Sequence, residues 1–490
     1  MIPAPPRLGP FLLVAILLGS SPNPAPADDR TPAVEPAGIT VEPGPRQVFA
    51  GFGTSLGNWG RDYQKLAPAE RDRLARLLWR DLGMTTLRLW INLDEFAPGP
   101  EPSRRTIADF RARYLDSGIV ADARALGMTH LLLAPDAMPA HLKLKRAGGP
   151  ADFVLKEDAI PAYADLIAEF LATVRDQAGV TFEATGIQNE PNDLDRITPA
   201  QMVSLVKALR RALDARGLAS VAIVAPEAAN VDGIYLDTIA RLKADPAAWA
   251  ALGGVASHSY GMGSTAASAA QIAGPDGRNL RPSWMTESSD NGPEAPGDAV
   301  RSAMLASRFL GDLNNRTTHW VHFLGFEAPD PRDDGTRILA YTPGPLRMTI
   351  FHKFYAYQQL SRAFPPGSVA RRCRSTLGSM DWTYGKKPAL SAAAAVAPDG
   401  TWAVGLSNFT STSFRDDPDD NAGRSARTFE VTVTIPELAG TRARPFALRR
   451  TGPHLTDATE GQLSLIDGRA TVRLGPLELV TLREVGPRQP

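Results

Sequence analysis

Two glutamates stand where runs of strand-forming residues come to an end. The first run reads FEATGIQNE from Phe182 and is cut off by Pro191; the second reads SWMTES from Ser283. Proline supplies no N–H to a sheet ladder and restricts the residue before it, so Asn189-Glu190-Pro191 cannot continue a strand. Each run therefore places a carboxylate, Glu190 or Glu287, at the point where a buried strand opens into a loop. Cleavage of a glycosidic bond needs such a pair: one carboxyl protonates the departing oxygen while the other attacks, or activates water at, the sugar carbon. Taken singly, either glutamate also reads as a strand-end cap or a loop ion pair. The pair, with its neighbours, points to catalysis.

The elements that must position these acids follow a regular alternation. Eight candidate strands begin at Val48 (VFAGFGTS), Thr85 (TTLRLWIN), Thr129 (THLLLAP), Phe182, Val221 (VAIVAPE), Gly254 (GVASHSYG), Ser283 and Thr318 (THWVHFLGF). Most gaps hold helix-patterned segments such as PAYADLIAEFLATVRDQAG, with proline near the first turn and glycine past the last. This predicts an α/β fold, a (β/α)8 TIM barrel over residues 46–364, in which chemistry sits on the loops at the C-terminal ends of the strands. The strict G-x-G-x-x-G turn that a doubly wound sheet would favour does not occur. Past Pro365-Pro366-Gly367 the texture becomes short alternating runs separated by turn residues, which predicts an all-β module, most simply a C-terminal β-sandwich, over 365–490. The charged stretch FRDDPDDNAGRS from Phe414 lacks the spacing of a calcium loop and reads as a hairpin tip.

The chain has 490 residues, and its 53 basic and 53 acidic residues balance. That balance argues against nucleic acid or an anionic membrane as partner and fits a neutral carbohydrate substrate. The start, MIPAPPRLGP followed by FLLVAILLG, has an apolar run too short to span a bilayer and small residues behind it. It reads as an export signal over 1–27, giving a secreted or periplasmic protein with a Pro-rich lead-in over 28–45. No later stretch suits a transmembrane span. Cys373, the only cysteine, reads as a structural residue. No metal or other cofactor is expected, since the seven histidines show no ligand spacing such as H-E-x-x-H. Oligomeric state is not legible.

Two acid motifs and four further segments carry a resemblance. N-E-P at the fourth strand and W-M-T-E-S at the seventh look like the acid/base and nucleophile motifs of the retaining (β/α)8 glycoside hydrolases of clan A. GFGTSLGNWG from Gly51, APDAMPAHLK from Ala134, SHSYG from Ser257 and FHKFYAYQQLSRAFPPGS from Phe351 are similar to segments of glycoside hydrolase family 30, with its endo-β-1,6-galactanase-like and glucosylceramidase-like relatives. The resemblance spans about Val48 to Ser368. It implies Glu190 as general acid/base, Glu287 as nucleophile and Asn189 on the sugar 2-hydroxyl. It also implies that Arg88 and Tyr260 keep Glu287 ionised, and that His258 contacts sugar or Glu190. Glu190 must then be protonated near neutral pH while Glu287 is charged, with their mutual repulsion doing part of the separation.

The chain departs from the family's pattern at Asn58, Asp136 and His141, where tryptophans are usual. Trp59, Trp90 and Trp320 remain candidates to stack on a pyranose face, and Glu227, ending the fifth strand, could bind a hydroxyl. The expected function is an exported retaining β-glycoside hydrolase acting on a β-linked oligo- or polysaccharide, endo-β-1,6-galactanase-like, with galactan, glucan and xylan ahead of glycolipid. The rival is a carbohydrate-binding protein on a hydrolase scaffold, since fold does not guarantee activity. In the sandwich, Trp382 and Trp402 are the aromatics available for exposure, too few to favour glycan binding over a structural role.

Overall fold

The computed structural model describes residues 34–146, 152–192, 195–342, 347–384, 386–411 and 425–486. The side chains of Asn58 and Trp59 lie outside the described ones, as do the apolar N-terminal segment read as an export signal and most of the charged stretch after Phe414. Eight strands form a closed barrel: β1 (Gly51–Thr54), β2 (Thr86–Asn92), β3 (His130–Asp136), β4 (Ala184–Thr185), β5 (Ala222–Ala228), β6 (Gly254–His258), β7 (Ser283–Ser288) and β8 (His319–His322). Six fall within the runs picked out above, and β3 and β5 each extend one residue past theirs. They pair in parallel with sequential neighbours, and β8 closes on β1 through His319 opposite Gly51 to His322 opposite Thr54. The protein is a (β/α)8 TIM barrel with further β-sheets built from its C-terminal region.

The helices follow their end signals. α1 (Pro68–Ala75) starts at a proline. α2 (Ile160–Ala178) has proline in its first turn and stops at Gly179, whose φ of 67° is the left-handed conformation glycine adopts without penalty. α3 (Pro199–Ala215) is capped by Thr198, whose side chain accepts from the Gln201 N–H while the Gln201 side chain accepts from the Thr198 N–H. α4 (Gly233–Ala244), α5 (Ala299–Asn314) and α6 (Lys353–Ala363) complete the helices used below. Inside the barrel Leu132, Ala184, Val224, Ala256 and Trp284 are buried against one another, so the barrel is filled and chemistry is left to its mouth.

The β module is two sheets over one core. Seven strands run in the order Val48–Phe49, Ser368–Arg371, Leu390–Val396, Trp402–Asn408, Leu479–Glu484, Arg444–Gly452 and Leu455–Leu465. Four more run Cys373–Ser375, Val34–Val41, Thr428–Thr434 and Arg469–Leu474. Ile39, Val41, Val404, Phe429, Val431 and Leu482 meet between them. The segment expected as a lead-in is therefore not outside the folded body. Val34–Val41 lies in the interior of the smaller sheet, parallel to Thr428–Thr434, because Ala37, Ile39 and Val41 alternate into the core. Trp382 and Trp402, expected exposed, are buried at 1% and 5% exposure: Arg308 lies over the ring of the first and Arg371 over the second. Cys373 is buried, and burial pushes its thiol up to about 12, consistent with a structural residue.

The larger sheet seats on the barrel through α5 and α6. Its strand Leu390–Val396, LSAAAAV, is made of small residues, so α5 comes close enough for Ser307 Oγ and Ser391 Oγ to lie 2.8 Å apart. Gly405 is required at this contact, since a Cβ there would sit 2.7 Å from Leu310. Gln359 of α6 is fully buried in the sheet: its amide nitrogen donates to the Arg449 carbonyl (2.9 Å) and to Thr481 Oγ1 (3.1 Å), and its oxygen accepts from Thr451 Oγ1 (2.6 Å).

Candidate active site

The mouth of the barrel gathers six side chains, from four strands or the turns just beyond them, around one cation. Arg88, on β2, is fully buried. Its Nη1 donates to Glu287 Oε2 at 2.5 Å, and its Nη2 donates to Asn189 Oδ1 at 2.8 Å and faces Glu227 Oε1 and His258 Nε2, each at 3.4 Å. Burial alone would lower the guanidinium pKa, but Glu227 and Glu287 hold it above its ordinary value. Glu287, on β7, accepts at its other oxygen from the Tyr260 hydroxyl. Burial and the adjacent carboxylate push the Tyr260 phenol well above its usual range, so it remains a donor.

Glu190 lies just beyond β4 with φ of 44°, a conformation rare for a residue with a side chain. Its N–H donates to the Glu227 carbonyl at 3.1 Å and the preceding Asn189 N–H to the Pro135 carbonyl at 2.7 Å. These bonds to β5 and β3, with Pro191 following, turn the chain out of the sheet and aim the side chain at the cleft. Such a conformation costs on the order of 1–3 kcal/mol and clusters at functional sites. His258 Nδ1 lies 2.8 Å from Glu190 Oε1. With Arg88 facing Nε2, a neutral ring carries its proton on Nδ1 and donates it to Glu190.

One oxygen of Glu190, one of Glu287 and one nitrogen of His258 all lie within 4.8 Å of one another. Retaining glycosidases place their carboxyls about 5–5.5 Å apart and inverting ones about 6.5–9.5 Å, so this spacing suits direct attack by the second carboxylate rather than an interposed water. Among the described residues these three are also the one group close enough to hold a metal ion. Arg88 already places a cation on Glu287, however, and a second positive charge there would meet its repulsion.

The protonation expected of Glu190 is not that of this unliganded site. Burial raises its pKa. The hydrogen bond from His258, that ring's charge when protonated, and Arg88 together outweigh burial and bring it below the usual glutamate range. The site is thus set for a carboxylate at Glu190 before a substrate arrives.

Several sequence-based assignments change. Glu227 is fully buried beneath the site, with burial raising its pKa against Arg88, and it faces no opening through which to bind a hydroxyl. Gly186 makes room for it, since a Cβ there would lie 1.7 Å from Glu227 Oε2. Arg88 is likewise closed off and acts on the cleft only through the groups it holds. Trp320 does not face the mouth: its ring packs on Phe52, Phe309 and Tyr357 between the barrel wall and the helices, and its indole N–H donates to Asp312 Oδ2 at 2.9 Å. Strand alternation sends Trp320 outward while His319 points in, stacked on Trp284 at 3.5 Å. Trp59 is outside the described side chains.

A cleft of about 450 Å3 opens over Glu287 and Asn189. Trp90 and Phe323 form one wall, rings 5.3 Å apart and edge to face. Asp136, Glu327 and Asp333 also line it; from sequence Asp136 is marked only as a departure from the family's tryptophans, and Glu327 and Asp333 are not marked at all. Asp136 ends β3 in HLLLAPD, the same strand-end signal that marked Glu190, so it was findable. Glu327 and Asp333 come from the long connection after β8, where no periodicity marks them. Glu327 fits because Gly57 leaves space: a Cβ there would lie 2.3 Å from the Glu327 Cβ.

A (β/α)8 barrel with two carboxylates converging at its C-terminal mouth, flanked by a β-sandwich, is the class that fold and site define. No family model and no curated protein matches the chain. Solved structures do. The catalytic domain of the glycoside hydrolase family 30 xylanase C from Talaromyces cellulolyticus superposes with a TM-score of 0.67 at 16% identity, over 92% of this chain and 100% of that one. A family 30 subfamily 8 xylanase from Clostridium acetobutylicum gives 0.65 at 16% identity, over 92% and 100%. An endo-β-1,6-glucanase gives 0.62 at 17% identity, over 93% and 95%. The chain shares the fold of these proteins along its length. Among the described residues no helix is long and apolar enough to cross a membrane.

Proposed function

We propose that the protein is a retaining β-glycoside hydrolase. The observation that carries this reading is the approach of Glu190 and Glu287 within 4.8 Å, from opposite sides of the barrel mouth. Glu287, oriented by Arg88 and Tyr260, attacks the anomeric carbon. The bond to the leaving oxygen breaks as Glu190 gives that oxygen its proton. A covalent glycosyl-enzyme results. Glu190, now a carboxylate, takes a proton from water, whose oxygen displaces Glu287 and restores the β configuration. Before the first step Glu190 must gain a proton. A sugar seated in the cleft displaces water and deepens the burial of Glu190, the one influence here that raises its pKa. Substrate binding thereby arms the acid.

The likeness to solved xylanases and an endo-β-1,6-glucanase, with the motif resemblance to galactanase-like relatives, supports a β-linked polysaccharide or oligosaccharide as substrate. The apolar N-terminal run supports export to meet it. The test is hydrolysis of a panel of β-linked galactans, glucans and xylans, with the product anomer followed by NMR. β-Anomer appears first with the wild type, and Glu287→Gln abolishes turnover. Glu190→Ala slows cleavage of natural glycans about 10²–10⁴-fold, and added azide yields a β-glycosyl azide. Sugar binding without turnover of any panel member would make this a binding protein on a hydrolase fold.

A further inference from the structure

The cleft over Glu287 is acidic beyond what two-carboxylate chemistry requires. Besides Glu287, Asp136, Glu327 and Asp333 line it, and none of its described lining side chains is cationic. Arg88 is sealed beneath, its charge directed at Glu287 and Glu227. Glu327 is engaged by Arg337 at 2.5 Å, and Asp333 Oδ1 accepts from the Gly292 N–H at 3.0 Å. Asp136 is different. No salt bridge holds it among the described residues, and its carboxylate accepts from the Ala137 N–H and, at a long 3.5 Å, from Gln188 Nε2. It is partly exposed to the cleft and keeps acceptor capacity to spare.

Its position says what it meets. Asp136 ends β3, and the neighbouring chain segment carries Asn189, whose N–H donates to the Pro135 carbonyl at 2.7 Å. Trp90 stands on the other side of β3, at the end of β2, with its register partner Ala134 two residues before Asp136. Asn189, Asp136 and Trp90 thus follow one another round the rim. On the hydrolase reading, a pyranose with its anomeric carbon at Glu287 and its 2-hydroxyl at Asn189 would have its neighbouring hydroxyl on the Asp136 side of the rim.

Resting on the hydrolase reading, we propose that Asp136 is a specificity-determining residue: its carboxylate accepts a hydroxyl of the sugar bound over Glu287, so the site takes an uncharged, hydroxyl-bearing glycon and rejects one carrying a carboxylate. A uronate in this cleft would set its charge beside Asp136, Glu327 and Asp333 with no described cation on the lining to receive it. Truncating the Asp136 contact removes a hydrogen bond to a charged acceptor, which is worth roughly ten- to a hundredfold in rate.

The experiment uses the full-length mature protein and a set of 2,4-dinitrophenyl 2-deoxy-2-fluoro-β-glycosides, the glucoside, galactoside, xyloside and glucuronide. Such reagents trap the glycosyl-enzyme, and intact-mass and peptide analysis report the rate and place of labelling. The expected result is labelling of Glu287 by at least one neutral reagent and about a hundredfold or slower labelling by the glucuronide. In Asp136→Asn, a near-isosteric change, labelling by the neutral reagent slows about ten- to a hundredfold while labelling by the glucuronide does not, so the ratio narrows.

A second measurement needs no variant. Burial, with Asp195 and Glu287 adding and Arg88 and the Ala137 N–H opposing, pushes Asp136 up to about 6. The wild-type ratio of neutral to glucuronide labelling should then shrink as pH falls through that value, whereas titration of Glu190 acts on both reagents alike. Equal labelling by glucuronide, or an unchanged ratio in Asp136→Asn, overturns the glycon assignment and leaves the hydrolase intact. No label from any reagent and no turnover of any glycan overturns the hydrolase reading and this assignment with it.

Discussion

At Glu190 two demands meet. The acid step needs a proton on the carboxyl and the base step needs it gone, and His258 and Arg88 settle the unliganded state in favour of the carboxylate against the effect of burial. His258→Ala removes the hydrogen-bond donor and the charge it carries when protonated, leaving Arg88 as the remaining named influence that lowers the pKa. Glu190 then keeps its proton to higher pH. The alkaline limb of the kcat/KM profile, where the acid is lost, should move to higher pH, and a profile that stays in place would remove His258 from the tuning of Glu190. Tyr260 and Arg88 act on the opposite partner, presenting donors to both oxygens of Glu287. The residues that hold the pair are thus fully or mostly closed to solvent, while Asp136 and Asn189 line the cleft.

Among the elements, β8 shows how strand alternation sorts side chains. Trp320 faces the helices and Phe323, three residues on, faces the cleft, so the aromatic wall is Trp90 with Phe323. Trp320→Phe should leave KM unchanged. It deprives Asp312 of the indole N–H in a fully buried setting, which costs about 1–3 kcal/mol and lowers the melting temperature by a few degrees. Thermal melts and Michaelis kinetics on the same preparation check both halves, and a raised KM would return Trp320 to the site. α5 serves twice at this scale. Asp312 also accepts from the Ser264 N–H at 2.7 Å, anchoring the loop that follows Tyr260, and Arg308 reaches Asp290 at 2.8 Å on the loop after β7.

For the whole molecule, several buried acids set how stability depends on pH. Burial is the main cause that pushes Asp136 and Asp312 up to about 6 and Glu294, beside Lys353, up to about 7, from ordinary values of 3.8 and 4.5. A raised acid binds its proton more tightly folded than unfolded. Its contribution is fully present below the ordinary value and is lost as pH rises through the folded value. Glu190, lowered, has the opposite sign and loses its contribution as pH falls. His319 and His322, which burial holds well below the ordinary imidazole value, also lose their contribution as pH falls. A raised acid therefore shows in the difference between two proteins: the melting temperature of Asp312→Asn relative to wild type should rise from about pH 5 to about pH 8, by calorimetry in matched salt. A difference that stays flat would mean that Asp312 is ionised in the fold. Barrel and sandwich share this fate, because α5 and α6 bury Ser307 and Gln359 in the larger sheet.

The sequence by itself determined the eight barrel strands, the helix ends and the two converging glutamates. Those rest on local signals: alternation, helical period, capping residues and a proline that stops a strand. It misread what depends on partners distant along the chain. Val34–Val41 looked like a lead-in because its register partners lie nearly four hundred residues away, and LSAAAAV carries no strand signal because alanine favours helix until an adjacent helix demands small residues. The inventory of the catalytic pair was local, but its electrostatics were not. Only the closed barrel brings Arg88, from β2, and His258 and Tyr260, from β6 and the loop beyond it, to the two carboxylates. Only the tertiary structure turns Trp320 and Glu227 away from the cleft and sets Asp136 in it, since a strand-end residue's exposure is decided by what the neighbouring strands and loops leave open.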